Sequence, residues 1–317
     1  PVQSAAAIER QSLEIGKWGN LLMAVAGVVA SYLSRSDALL VDGLYSGVNF
    51  VSAIIAAKIT VTVSLPPDRR YPFGYDAHEA LYVTFRSLVL LGILAFAVFG
   101  AVGKIAAYAS GEKLPELQFG PILVYSAAMV ALCLALAAWH RHNWRRSGKR
   151  SEILSTESRA AVIDAVISGG VGGGFLASML LEGTALQFIL PVSDSIIVLV
   201  LCVAIAGQPV TMFRGSLRQV AGASAEPATV EKVRERLLET LKDQPFELLE
   251  VAVTKIGRSH FVVSYVKPNA AVEGEAADIL WQQLNTAIQE LLGQAKTELI
   301  IAGRPPYGEQ TNLDSND

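Results

Sequence analysis

The sequence predicts an α-helical membrane protein, with six transmembrane helices followed by a small cytoplasmic α+β domain. Three observations lead there. Of 317 residues, 52% are hydrophobic and 17% are charged, against about 25% charged in ordinary soluble domains. The mean hydropathy is +0.40. The long apolar runs are confined to residues 1–206, whereas residues 226–317 have the composition of a soluble domain.

A helix needs about 20 predominantly apolar residues to cross the hydrocarbon core. Six segments qualify: 18–34, 38–63, 83–107, 119–140, 153–181 and 187–206. Their loops set the orientation, because cytoplasmic loops are enriched in Lys and Arg. The fourth and fifth spans are joined by "HRHNWRRSGKR", with Arg141, Arg145, Arg146, Lys149 and Arg150, and the second and third by a loop with Arg69 and Arg70. The alternate connections hold few cations, so both termini are expected in the cytoplasm. The chain is read as a multi-pass protein embedded in membrane lipid, with a bacterial inner membrane as its expected location. A net charge of −3 gives no case for nucleic acid. Cys133 and Cys202 sit in apolar runs and read as buried free thiols. The first residues lack the basic start and short apolar core of a cleaved signal peptide. There is no initiator Met, which leaves open whether the natural start lies upstream.

Beyond residue 206 the periodicity changes. Val230, Val233, Leu237 and Leu241 recur at helical spacing. "LLEVAVTKI" and "HFVVSYVKP" alternate as two strands around a tight turn at Gly257 and Arg258. A second helix follows, with Trp281, Leu284, Ile288 and Leu291 on one stripe, and then a short strand, "ELIIA". The order α-β-β-α-β predicts helices on one face of a three-stranded sheet. The expected division is a membrane domain over 1–206, a soluble domain over 207–306 and a disordered tail over 307–317.

Ionisable residues within spans are expensive in lipid and normally face a bundle interior. In span two, Asp42, Tyr45, Ser46 and Asn49 recur every three to four residues and share a helix face. In span five, Asp164 and Ser168 are one turn apart, beside glycines at 169, 170 and 172–174 whose plain role is close helix packing. Asp194 begins span six. Arg86 in span three is placed to snorkel to the interface or to pair with Asp164. Two helices offering oxygen ligands at i and i+4 can close a four-coordinate cation site. Here span two offers Tyr45 and Asn49, and span five offers Asp164 and, one turn earlier, only Ala160. Asp42 would serve as an outer or gating ligand. None of the four histidines is expected within a span.

Four stretches resemble the cation diffusion facilitator family of proton-coupled divalent-metal exporters. They are "SDALLVDGLYSGVNF", "PPDRRYPFGYDAHEAL", "SRAAVIDAVIS" and "LPVSDSIIVLVL", in the family's order around six spans. The α-β-β-α-β tail is similar to the family's metallochaperone-like dimerisation domain. The resemblance implies a divalent metal ion as transported substrate, protons as counter-ion, and a homodimer formed through residues 207–306. It places the metal at Asp164, Asn49 and Tyr45, with Asp42 nearby.

The departures are specific. Relatives carry two Asp, or His and Asp, where this chain has Tyr45 and Asn49, and His or Asp where it has Ala160. Two loop positions that are usually His are Tyr71 and Tyr75, although Asp68 and Glu79 remain as candidates for a second metal; His78 reads as an interfacial residue. In the tail, Asp278 and Ala302 stand at or near places often held by His. An oxygen-rich site of this kind leans toward manganese, iron or magnesium over zinc. Two functions therefore stand beside each other. One is an alternating-access cation transporter. The other is a transport-degenerate relative acting as a structural or regulatory partner, in a homodimer or in a heterodimer with a related transporter. Neither is an enzyme.

Overall fold

The computed structural model describes residues 5–63, 65–146 and 152–306. The tail 307–317, expected above to be disordered, lies outside the described residues, as do Lys149 and Arg150 of the basic loop. Among the described residues, six helices are long and apolar enough to cross a membrane. They belong to α1 (Ala5–Ser34), α2 (Asp37–Val63), α3 (Ala77–Ala109), α4 (Phe119–Arg146), α5 (Glu152–Met179) and α6 (Ser193–Val220).

The apolar centres fall where the hydropathy predicts them, but several ends do not. α1 starts well before residue 18, and α6 continues past 206 to Val220. Both extensions are rich in polar and charged residues. Hydropathy reports the part of a helix that lipid accepts, while the i→i−4 ladder continues into water. Residues 187–192, expected to open the sixth helix, form a 3-10 segment containing Pro191. Proline supplies no N–H and fits such a short, tighter turn.

The chain divides into two compact units. The first comprises residues up to Lys58 together with Phe85–Met212. At its centre is α4, whose Ile122, Tyr125, Met129, Cys133, Leu136 and Ala137 form a buried stripe at helical spacing. α4 packs along α5 and α1. Small residues set the closest approaches. A Cβ on Gly172 would lie 2.7 Å from the Cβ of Ser126, and one on Gly27 would lie 2.5 Å from the Cα of Gly43. Gly170 and Gly173 face open space, so only part of the α5 glycine run is needed for packing. Both thiols are buried and free.

The histidine expectation needs correcting. His140 is buried near the end of α4, where its Nδ1 lies 2.8 Å from the Ser12 hydroxyl, which also accepts from Asn143 at 3.3 Å. A ring can be buried there because α1 supplies a polar partner.

The second unit comprises Ile59–Thr84 and the residues from Phe213 onward. Its fold is the predicted α-β-β-α-β: α7 (Pro227–Leu241), β1 (Phe246–Ile256), β2 (Ser259–Pro268), α8 (Gly274–Leu292) and β3 (Ala295–Ile301). The sheet order is β1-β2-β3, with β1 antiparallel to β2 and β3 parallel to β2 across α8. Ile256 pairs with Ser259, so Gly257 and Arg258 form a two-residue hairpin turn. Gly257 has φ +59, the positive value such a turn asks of its first residue. Val251, Val253, Val262 and Val266 project from one sheet face onto Leu237 of α7 and Leu280, Leu284 and Ile288 of α8. The stripe on α8 is thus turned from the expected one. Leu280 and Ala287 are buried, while Trp281 and Leu291 stand at its exposed flanks. Trp281 keeps its ring at the edge so that Nε1 can donate to the Thr297 carbonyl at 2.7 Å.

The Gly27–Gly43 approach generates a test. Gly27→Val forces atoms into backbone and should cost about 1–3 kcal/mol, the usual range for overpacking. Gly170→Ala, whose Cβ meets nothing, should leave stability unchanged or slightly higher. Thermal unfolding in detergent should separate the two; equal midpoints would refute the close approach.

Candidate cation site

The first unit collects polar side chains from four helices. On α2, Asp42, Tyr45 and Asn49 are half-buried and Ser46 is buried. Their common face follows from the 3.6-residue repeat, and their partners come from elsewhere. The Tyr125 hydroxyl of α4 donates to Asp42 Oδ2 at 2.7 Å. Arg86 of α3 donates through Nη2 to Asn49 Oδ1 at 3.0 Å, while its Nε is buried without a hydrogen-bond partner among the described residues. On α5, Asp164 stands within electrostatic range of Asp42, Tyr45 and Glu157, and Arg86 within range of Tyr45 and Glu157. Among the described residues the Asp164 carboxylate has no hydrogen-bond partner. Ala160 contributes no donor, and is exposed.

The arrangement has two levels. Asp42 and Asn49 are seven residues apart on α2, as are Glu157 and Asp164 on α5, each about 10.5 Å along a helix. The Tyr125–Asp42 bond marks one end of the α2 stripe and the Arg86–Asn49 bond the other, with Tyr45 between them and within electrostatic range of both Asp164 and Arg86. Three of these residues were not expected in these roles. Tyr125 is a lone hydroxyl in an apolar run, and nothing near it in sequence points to a carboxylate on another helix. Glu157 sits in the second turn of α5, and no sequence pattern singles it out. Arg86 does not reach for Asp164 by hydrogen bond; it is tied to Asn49. Among the described residues, no three or more His, Cys, Asp or Glu side chains are placed to hold a metal ion. Any cation here would rely on neutral oxygens from Tyr45 and Asn49 as well as carboxylates.

Asp194 has a structural role. Its carboxylate accepts from the Ser36 hydroxyl at 2.6 Å and from the backbone N–H groups of Asp37 and Ala38 at 2.9 and 3.3 Å. It therefore caps the start of α2, where N–H groups lack helical partners and the helix dipole favours a negative charge.

In the second unit, Asp68, His78 and Glu79 are engaged separately. Asp68 accepts from the Arg70 and Tyr71 amides and from the Tyr75 hydroxyl, each at 2.8 Å. The Tyr71 amide first, then the Tyr75 hydroxyl, hold its carboxyl below the usual carboxylate range, and that bond pushes the Tyr75 phenol up. His78 lies against the rings of Tyr71 and Tyr75. Glu79 forms an ion pair with Arg258 at 2.8 Å, and Lys296 bonds both Asp76 and the Phe73 carbonyl at 2.6 Å. The loop resembling the family's loop motif is thus held by hydrogen bonds and ion pairs of its own unit. The tail's histidine, His260, is the second residue of β2, and burial first and Lys255 second hold its pKa below the usual value.

Residues 15–220 match the family model described as the cation efflux transmembrane domain. The chain belongs to the cation efflux family. Membership accounts for the six helices and for the order of the motifs around them, and the family is one of transporters rather than enzymes. Among similar proteins are an uncharacterised transporter of Methanocaldococcus jannaschii, 25% identical over 116 residues, covering 37% of each chain. The magnetosome protein MamM of Paramagnetospirillum magneticum is 24% identical over 233 residues, covering 73% of this chain and 67% of its own length. The manganese efflux system protein MneP of Bacillus subtilis is 24% identical over 125 residues, covering 39% of this chain and 38% of its own. The matched part is thus well under two thirds of the first and third relatives.

The Asp68 turn carries a pH test. A carboxyl whose folded pKa is depressed contributes order that is complete above its unfolded pKa, about 3.9, and is lost as pH falls through the folded value. Amide exchange at Arg70 and Tyr71, compared with exchange in the core of β2, should therefore rise in acid below that range. Asp68→Ala should show several-fold faster exchange at neutral pH. Protection unchanged in both would refute this account of the loop.

Proposed function

We propose that the chain exports a divalent metal ion in exchange for protons by alternating access, with the ion held at Asp164 between α2 and α5. The observation that carries this reading is the Asp164 carboxylate. It is unengaged in a helix long enough to span a membrane, and it stands near Asp42 and Tyr45, whereas Asp42 is bonded to Tyr125 and Asp194 caps α2. Leaving such a group without a structural partner is expensive, and it is the usual mark of a pathway. Asp164 would be the metal ligand and proton carrier, Tyr45 and Asn49 neutral ligands, and Asp42 an outer ligand steadied by Tyr125.

Manganese is the favoured substrate, ahead of iron, magnesium and zinc. The donor set is oxygen-only, which suits harder cations, and one similar protein is named a manganese efflux system protein. Protein termini in the cytoplasm and a bacterial inner membrane fit the basic loops. A homodimer through residues 207–306 fits a two-layer unit of modest size, since small domains are marginal alone.

A second reading, the transport-degenerate partner, is favoured by one observation: no three metal-ligating acids or histidines converge among the described residues, with Ala160 standing where relatives carry a ligand. Such a chain would serve by pairing, with itself or with a related transporter.

Flux separates the two. In proteoliposomes containing this chain alone, manganese should drive counter-transport of protons, and Asp164→Asn should lower flux by at least about a hundredfold, the scale of about 2.8 kcal/mol at 1.4 kcal/mol per decade. Asp42→Asn should lower it less. Full flux in Asp164→Asn would mean that the ion binds elsewhere. Absence of flux in wild type with manganese, iron, magnesium and zinc would favour the partner reading. Deleting residues 207–317 should dissociate the detergent-solubilised dimer, read by light scattering; an equally stable truncated dimer would overturn the assignment of the interface.

A further inference from the structure

We propose that Arg86 is a tethered competitor for the transported cation: its guanidinium is bonded to Asn49, and an entering ion must displace it to reach Asp164. The inference rests on the transport reading above.

The geometry makes the case. Arg86 lies nine residues into α3, about 13.5 Å along the helix from its start at Ala77, and three residues past the start of the apolar span at 83. Rather than running back to the interface, it turns toward α2 and donates one hydrogen bond, 3.0 Å long, to the amide oxygen of Asn49. Its Nε is buried and lacks a partner among the described residues. Guanidinium offers five N–H donors in a rigid fork, and a purely structural arginine normally spends them on a carboxylate in paired fashion. This one does not. Glu157 on α5 stands within its electrostatic range, yet among the described residues the two form no ion pair of the kind joining Lys104 to Asp37 at 2.7 Å. Among the described residues the guanidinium is therefore held by a single neutral acceptor, with Glu157 and Tyr45 within electrostatic range.

Consequences for an entering cation follow from charge alone. Asn49 Oδ1 cannot face a metal ion while it accepts from Arg86, so ligation at Asn49 requires that bond to break. Glu157 attracts both the side chain and the ion, and when the ion takes its place the guanidinium can swing away on its flexible stem. A fixed positive charge at this level also disfavours a divalent ion more than a monovalent one, because the repulsion scales with the product of the charges. The empty site is then partly neutralised by the protein's own cation. No proton transfer or covalent step is involved.

The test uses the full chain in proteoliposomes, with manganese as the probe and initial flux as the readout. Arg86→Gln removes the competitor, so KM should fall by about three- to tenfold, the size expected of one partly screened unit charge. An arginine that merely braced the helices would give the opposite: flux lost or KM raised. Arg86→Lys keeps the charge and should shift KM less than Arg86→Gln does. Glu157→Gln should raise KM. If Arg86→Gln transports too slowly for a KM, calorimetric manganese binding to the detergent-solubilised variant carries the same test, with tighter binding than wild type expected. Unchanged or weaker apparent affinity in Arg86→Gln, while Asp164→Asn still loses flux, would overturn this inference and leave the transport site standing. Full flux in Asp164→Asn would instead overturn the site on which it rests.

Discussion

Hydrocarbon offers no partner to a polar side chain, and this constraint organises α2. An isolated Asp at the middle of a spanning helix costs about 2.5–3.5 kcal/mol on insertion scales. The helix answers at each level with a group from a different neighbour. Asp194 of α6 caps its first N–H groups, Tyr125 of α4 donates to Asp42, and Arg86 of α3 donates to Asn49. Gly43 lets α1 come within backbone contact on the adjoining face. The polar stripe of α2 is thus a set of separately met hydrogen-bond demands, each of which fixes the helix's rotation in the same sense. With that rotation set, Asp164 remains without a hydrogen-bond partner among the described residues.

Small residues allow this economy of space. Where Gly172 meets Ser126 and Gly27 meets Gly43, helices approach closely enough that polar groups on neighbouring positions reach one another across the gap. A stouter interface would lengthen the Tyr125–Asp42 distance of 2.7 Å and leave both groups unpaired. Packing and polarity are therefore one problem here. The apolar stripe of α4 and the hydroxyl of Tyr125 belong to the same helix face, which is why the tyrosine is buried in the core rather than set at an interface.

How much of this could be read from the sequence depends on whether the governing interaction is local. Hydropathy and helical or alternating periodicity are local, and the six spans and the α-β-β-α-β order were legible in them. The shared face of Asp42, Tyr45 and Asn49 was legible for the same reason. Helix ends were not, because α6 continues through "GQPVTMFRGSLRQV" on backbone bonds that hydropathy does not register. The α8 stripe was misjudged by one position because Trp281 is large and apolar but carries an N–H that prefers the edge. Tyr125, Glu157 and the capping role of Asp194 were not legible, since each acts on a helix remote in sequence: 83 residues separate Tyr125 from Asp42, and 158 separate Ser36 from Asp194. Arg86 stood out as an intramembrane cation, but sequence could not choose between lipid interface, Asp164 and Asn49.

The departure at Ala160 then takes on a physical meaning. A methyl group at that position removes one ligand from α5, and a four-oxygen site cannot be completed from Tyr45, Asn49 and Asp164 alone. Glu157 lies one turn before Ala160, on the face shared with Asp164 two turns on, and it stands within electrostatic range of Arg86. Charge lost at Ala160 is thus present one turn earlier, together with an arginine that opposes it. In this chain the acids of α5 are two turns apart, with Arg86 within range of Glu157, so on the transport reading proposed above a cation would exchange partners in steps rather than settle on a single cluster.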